Sequence, residues 1–91
     1  MRARAAAEHL FAGGEAIVRQ GDRGSSMFVV LRGSVMVTLE PSSQHVATIT
    51  SGGFFGEMSM LTGDPRTATV RAVDDVQVLE VAAADMRLLA Q

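Results

Sequence analysis

Gly56-Glu57 opens a short, largely apolar stretch, Met58 to Leu61, and Pro65-Arg66-Thr67-Ala68 closes the segment after it. A helix beginning at this glycine would present unpaired backbone N–H groups and a partial positive charge, a combination that receives anions. Gly56 has no Cβ, so a ligand can come close to its backbone, with the amides of Met58 and Ser59 directed at the same point. Arg66 supplies a fixed charge whose planar fork matches phosphate oxygens as a lysine ammonium does not. Pro65 presets its own φ and holds Asp64 extended, which restricts where Arg66 can lie. Glu57 would repel a phosphate, and the partner that suits it is a hydroxyl donor such as a ribose 2′-OH. The chemistry is capture of a small ligand that carries both groups. Each element also has an ordinary reading: helix capping for Gly56-Glu57, and a solvated or ion-paired side chain for Arg66. In the empty protein Glu57 and Arg66 could pair with each other.

The elements that must position these residues are short and mostly β. Arg2 to Leu10 is alanine-rich and predicts a helix ended by Gly13-Gly14. Strands follow at Ala16 to Arg19, before the Gly21-Asp22 turn, and at Met27 to Leu31, an unbroken apolar run that suits a strand buried on both faces. Val35, Val37 and Leu39 alternate with Ser34, Met36 and Thr38, which predicts a strand with two distinct faces. Pro41 to Gln44 reads as a loop and His45 to Thr50 as the next strand. Ser51-Gly52-Gly53 leads into the ligand segment. Thr67 to Ala72 and Val76 to Val81 make two more strands around Asp74-Asp75, and Ala82 to Leu89 predicts a second helix. Such a series predicts a mainly β fold, a jelly-roll-like β-roll barrel with short flanking helices and a short helix at the ligand segment.

The whole string Phe55 to Ala68, FGEMSMLTGDPRTA, resembles the phosphate-binding cassette of cyclic-nucleotide-binding domains: F-G-E, two apolar or small residues, a variable stretch, then P-R-[ST]-A. Every position of that pattern is filled. The resemblance extends from Phe11 to Val81: FAGGEAIVRQGD looks like the family's entry strand and Gly-Asp turn, MFVVLRGSVMV its central hairpin, and Thr69 to Val81 its closing strands. FFGEM and ATVRA are most similar to the regulatory domains of bacterial cyclic-nucleotide-regulated or mechanosensitive-type channels. The resemblance implies a cAMP or cGMP sensor in the cytoplasmic part of a larger bacterial protein. Gly56, Glu57, Met58, Ser59, Arg66, Thr67 and Ala68 would form its ligand site. Val37 and Ala47 would be the apolar wall beside the purine, for which ordinary barrel core is the competing reading. By the same resemblance Thr67 could meet a guanine 2-amino group, as in some relatives, but a threonine there also occurs in domains that do not favour cGMP, so either nucleotide fits this reading. Partners would be the nucleotide and an effector domain in the full-length chain, with oligomerisation through the parent protein. Family members continue past the barrel into a longer helix that closes as a lid. With Gln91 the last residue, this reading expects residues 1–91 to form a single binding domain with a truncated lid and an open base side. A degenerate copy acting as an interaction or structural module is the rival reading, and retention of both Glu57 and Arg66 speaks against it.

Composition sets the outer limits. Ninety-one residues allow one small domain, and the 47% apolar content is ample for its core. With four Phe and neither Trp nor Tyr, that core must be mostly aliphatic. The absence of cysteine excludes disulfides, thiolate metal sites and cysteine catalysis. A net charge of −2 without a basic run argues against direct nucleic-acid binding. No apolar stretch approaches the roughly 20 residues that span a bilayer, and the N-terminus lacks a signal-peptide core, so no membrane contact is expected of this segment. His9 and His45 are too few for a metal site. Ser34 and Ser59 have no histidine base nearby, so no catalytic residue and no cofactor is expected. Asp74-Asp75 reads as a solvated turn, and Met58 and Met60 as core residues of the short helix.

Overall fold

The computed structural model describes residues 7–84. Eight strands and one short helix follow in the order β1 (Ala7–Phe11), β2 (Ala16–Val18), β3 (Ser26–Arg32), β4 (Ser34–Leu39), β5 (Gln44–Thr50), β6 (Phe54–Phe55), α1 (Glu57–Thr62), β7 (Thr69–Ala72) and β8 (Val76–Ala82). They form two four-stranded sheets, β1-β8-β3-β6 and β2-β7-β4-β5, with antiparallel pairing throughout. Two facing sheets with chain crossings between them are the jelly-roll-like arrangement expected from the strand pattern.

Valine does most of the packing. Val30, Val35 and Val78 are fully buried, one from each of three strands on the two facing sheets. Phe28 and Phe55 stack beside them with ring centroids 5.2 Å apart. β3 alternates: Ser26, Phe28 and Val30 are buried, whereas Met27, Val29 and Leu31 are only half-buried. The unbroken apolar run therefore reflects one core face and one partly covered face, not burial on both. In β4 the pairing with β5 slips between Val37 and Thr38. The extra residue is Val46 of β5; in β4 Thr38 is buried and Leu39 exposed, so the simple alternation in burial ends there.

Chain crossings are tight. Gly33 alone separates β3 in one sheet from β4 in the other, at φ 85°. Against it lies the second crossing, Asp74-Asp75, between β7 and β8. That pair is not merely solvated: the Asp74 carboxylate accepts the Ser34 N–H at 3.0 Å and the Asp75 carboxylate accepts the Gly13 N–H at 3.2 Å. These bonds satisfy amides that the crossings remove from the ladders.

The expected N-terminal helix is corrected where the structure describes it. Ala7 to Leu10 lies in β1, paired to β8 from Ala7↔Glu80 to Phe11↔Val76. Alanine propensity is worth only tenths of a kcal/mol per residue, and a free sheet edge beside β8 outweighs it. Residues 2–6 of that helix lie outside the described residues. The C-terminal helix expected over 82–89 begins with Ala82, which is the last residue of β8, and mostly lies beyond Ala84. Arg19 and residues 67–68, expected in strands, fall just outside β2 and β7.

Candidate functional site

Gly56 switches the chain from β6 into α1. Its φ of 84° is left-handed backbone, open to glycine and costly for other residues. No side chain caps the helix start. The first intrahelical bond runs from the Met60 N–H to the Gly56 carbonyl at 3.2 Å, which leaves the preceding first-turn amides free for a ligand. Gly63, also left-handed, ends the helix with its N–H on the Ser59 carbonyl. The Thr62 hydroxyl then accepts the Asp64 N–H at 3.1 Å and steers the chain toward Pro65 and Arg66.

Arg66 is 7% exposed and is not the solvated surface arginine of the ordinary reading. Its main chain is pinned by two bonds to the Gly21-Asp22 turn: the Arg66 N–H to the Asp22 carbonyl, and the Gly21 N–H to the Arg66 carbonyl, both 2.8 Å. In the side chain, Nη1 donates to the Ser26 carbonyl at 2.8 Å and the Gly56 carbonyl at 3.2 Å. The Cζ atom stands 5.8 Å from the Phe28 ring centroid. No pair forms with Glu57, because these carbonyls take the guanidinium instead. Among the described residues Nε and Nη2 have no hydrogen-bond partner. Gly24 packs against the guanidinium so closely that any Cβ there would collide with it.

Burial pulls the Arg66 pKa below its ordinary value, while the negative charges of Glu80 and Asp22 push it back up. Arginine remains protonated at neutral pH regardless. The fold thus holds a desolvated cation that its own carboxylates compensate only in part, which is what an anion site requires.

The segment lines a cavity of about 130 Å³. Gly56, Glu57, Met58, Ser59, Arg66, Thr67, Ala68 and Val37 all contribute to its wall. Val18, Phe55 and Val70 supply apolar floor that sequence patterning had not singled out. Ala47 does not line it: it sits exposed on β5, paired to Val37. Ala47 belongs to the exposed course of β5, whereas Val37, on the strand between β5 and β7, reaches the cavity wall. Met58 is 59% exposed, so its side chain belongs to the surface and not to the core. A larger cavity of about 360 Å³ is lined by other residues, among them Phe11, Arg32, Asp75 and Gln77. Its Arg32 and Asp75 carry opposite charges, and it has no helix start, so it lacks the anion chemistry of the smaller one.

Three residues behind the wall escaped sequence reasoning. Ser26 receives Arg66 on its carbonyl and donates its hydroxyl to Glu80 at 2.6 Å. Glu80, in β8, also accepts from His9 Nε2 at 2.8 Å. Gly24 makes room for the guanidinium. Nothing local marks these positions, since they meet only through the pairing of β1, β8 and β3. The bond from Ser26 holds the Glu80 carboxyl below its ordinary value against an opposing effect of burial, with help from His9 and Arg66. A depressed carboxylate adds stability that is complete above its unfolded value and lost as pH falls through the lower folded one. Glu80→Gln should therefore be less stable than the parent at pH 7, and the gap should close as pH is lowered through and below the ordinary carboxylate range. Urea unfolding at pH 7 and across that range reads this directly, and a gap independent of pH would contradict it.

With this geometry in hand, likeness to known proteins is informative. The family described as cyclic nucleotide-binding domain matches residues 8–91. The chain belongs to that family. Among curated relatives, it is 40% identical over 76 residues to a cyclic nucleotide-gated potassium channel of Rhizobium etli, a match covering 84% of this chain and 21% of the channel. It is 38% identical over 77 residues to the cAMP-dependent protein kinase regulatory subunit of Dictyostelium discoideum, covering 78% of this chain and 24% of that subunit. The chain thus spans about a fifth to a quarter of these relatives. The regulatory domain of Toxoplasma gondii PKA solved with cAMP superposes with a TM-score of 0.86 at 29% identity, covering 94% of this chain and 34% of that one. The Thermus thermophilus catabolite activator protein gives 0.84 at 31% identity, covering 92% and 41%. Among the described residues no helix is long and apolar enough to cross a membrane.

Proposed function

We propose that residues 1–91 act as a single cyclic nucleoside monophosphate sensor, regulating an effector region elsewhere in a larger protein. The observation that carries this is the state of Arg66: desolvated, held by two backbone carbonyls, with Nε and Nη2 unpartnered beside the free amides at the start of α1. Family membership and the structure of a relative solved with cAMP support it. In this reading the phosphate takes the Arg66 fork and the amides of Met58 and Ser59. Glu57 accepts the ribose 2′-OH, and Val37 with Val18 and Val70 faces the apolar parts of the ligand. The Thr67 hydroxyl oxygen accepts from the guanine 2-amino group when the ligand is cGMP. The module performs no chemistry and needs no cofactor. The likeness to a bacterial channel supports a cytoplasmic regulatory role in such a protein, oligomeric through its other parts.

Calorimetric titration with cAMP and cGMP tests the reading, and absence of binding to both would favour a degenerate interaction module instead. The Glu57 role has its own test. Glu57→Gln should bind more tightly than Glu57→Ala, since the amide oxygen still accepts a hydrogen bond. A 2′-deoxy analogue should lose affinity for the parent and lose little further for Glu57→Ala. Equal losses in both proteins would leave Glu57 as a helix-start charge only.

A further inference from the structure

Glu80 lines no part of the cavity, yet it is joined to the cation of that site through one residue. Its Oε2 accepts the Ser26 hydroxyl at 2.6 Å, and the carbonyl of the same Ser26 accepts Arg66 Nη1 at 2.8 Å. Its Oε1 is held by His9 from the neighbouring strand. Ser26 is 6% exposed, and Ser26 and Glu80 stand on adjacent strands of one sheet. The charged groups that act on this cluster are His9 on β1, Arg66 before β7, and Asp22, which acts on Arg66. Glu8, the carboxylate of β1, is engaged by Gln77.

We propose that Glu80 is a positioning residue for Arg66: by taking the Ser26 hydroxyl, it fixes the Ser26 carbonyl that holds Nη1, so that the Nε–Nη2 edge is presented to a ligand phosphate. Guanidinium has five donors in a rigid plane. Two carbonyls, from Ser26 and Gly56, occupy Nη1 at one corner and set the plane's orientation. What remains is one side-on fork, the geometry a phosphate uses. Glu80 adds a compensating charge without occupying that fork: its hydrogen bonds go to Ser26 and His9, and none goes to Arg66. The ligand-binding half of this inference rests on the functional reading above, whereas the positioning half concerns the empty protein.

Two measurements on the 91-residue chain separate them. In the ligand-free protein, nitrogen-15 NMR should show slow rotation of the Arg66 guanidinium, with resolved Nη signals identified by their loss in Arg66→Ala. Ser26→Ala and Glu80→Ala should collapse those signals into a rapidly rotating set, and Glu80→Gln, which keeps an acceptor for Ser26, should restore them. Titration with cAMP should show Glu80→Ala weakening binding by roughly three- to tenfold in the parent, with little further loss in an Arg66→Ala background, as coupled neighbours require. Should Glu80→Ala fail to fold, Ser26→Ala carries the same two readouts. Unchanged guanidinium signals in the variants, or equal affinity losses with and without Arg66, would overturn the positioning role. If the parent does not bind cAMP or cGMP, the functional reading falls, and the guanidinium signals still decide the positioning.

Discussion

Arg66→Ala is expected to weaken cyclic-nucleotide binding by roughly ten- to a hundredfold, the loss that follows removal of a charge-assisted contact of about 1.5–3 kcal/mol. The structure explains why the effect should fall on affinity more than on folding. The substitution strips two carbonyls, of Ser26 and Gly56, of their donor and removes the Phe28 contact. It also removes a buried cation that the fold compensates only in part, and these changes oppose each other. Arg66→Lys should recover only a fraction of the binding. A lysine ammonium keeps the charge but cannot hold two carbonyls at one corner while offering a fork at the other. Calorimetry on the parent and both variants, beside a thermal melt, checks the claim. Binding by both variants at parental strength would remove Arg66 from the site and with it the anion reading of the cavity.

Gly33→Ala should have the largest effect on stability, roughly 2–5 kcal/mol from left-handed backbone strain and overpacking combined. Its Cβ would lie 2.5 Å from the Asp75 carbonyl oxygen and 3.0 Å from both the Asp74 carboxylate and Val76 Cα. Most of these neighbours are backbone and cannot rotate away. The two sheet crossings would have to separate, which also strains the Asp74 bond to the Ser34 N–H. Gly14→Ala supplies the control, since its φ is 92° but nothing stands within 4 Å of the new carbon. It should cost only the backbone term, about 1–2 kcal/mol. Urea unfolding of the two variants separates strain from collision. Equal destabilisation would show that the crossings relax freely and that the contact at Gly33 carries no weight.

Both sites illustrate how function and folding share the same tight places. Gly56 and Gly33 are each left-handed, and each lets a second segment approach where a Cβ would stand. At Gly56 the neighbour is the Arg66 guanidinium, so the residue that starts the helix also seats the cation. Pocket and corner are built from the same device: glycine at a positive φ against a segment distant in sequence.

By itself the sequence singled out the segment from Phe55 to Ala68, and most of the residues it named come to line one cavity. Gly56, Glu57, Pro65 and Arg66 act through local properties, namely backbone freedom, fixed φ and charge type, and these survive translation into structure because they depend on few neighbours. Alternating and continuous valine runs likewise announced the strands, since side-chain direction in a strand has a period of two. What only the tertiary structure decided was everything set by pairing between distant strands. Ala7 to Leu10 carries helix-forming residues yet lies in β1, because β8 offers an open ladder there. Ala47 lies outside the cavity while Val37 lines it, because β5 is an exposed edge strand and β4 lies between it and β7. Arg66 turned out to be buried and held by Ser26 and Gly56 instead of Glu57, and Glu80 with His9 stands behind it. Those contacts join residues separated by tens of positions, and no local pattern encodes which hydrogen-bond partner a desolvated guanidinium will find once two sheets have closed over it.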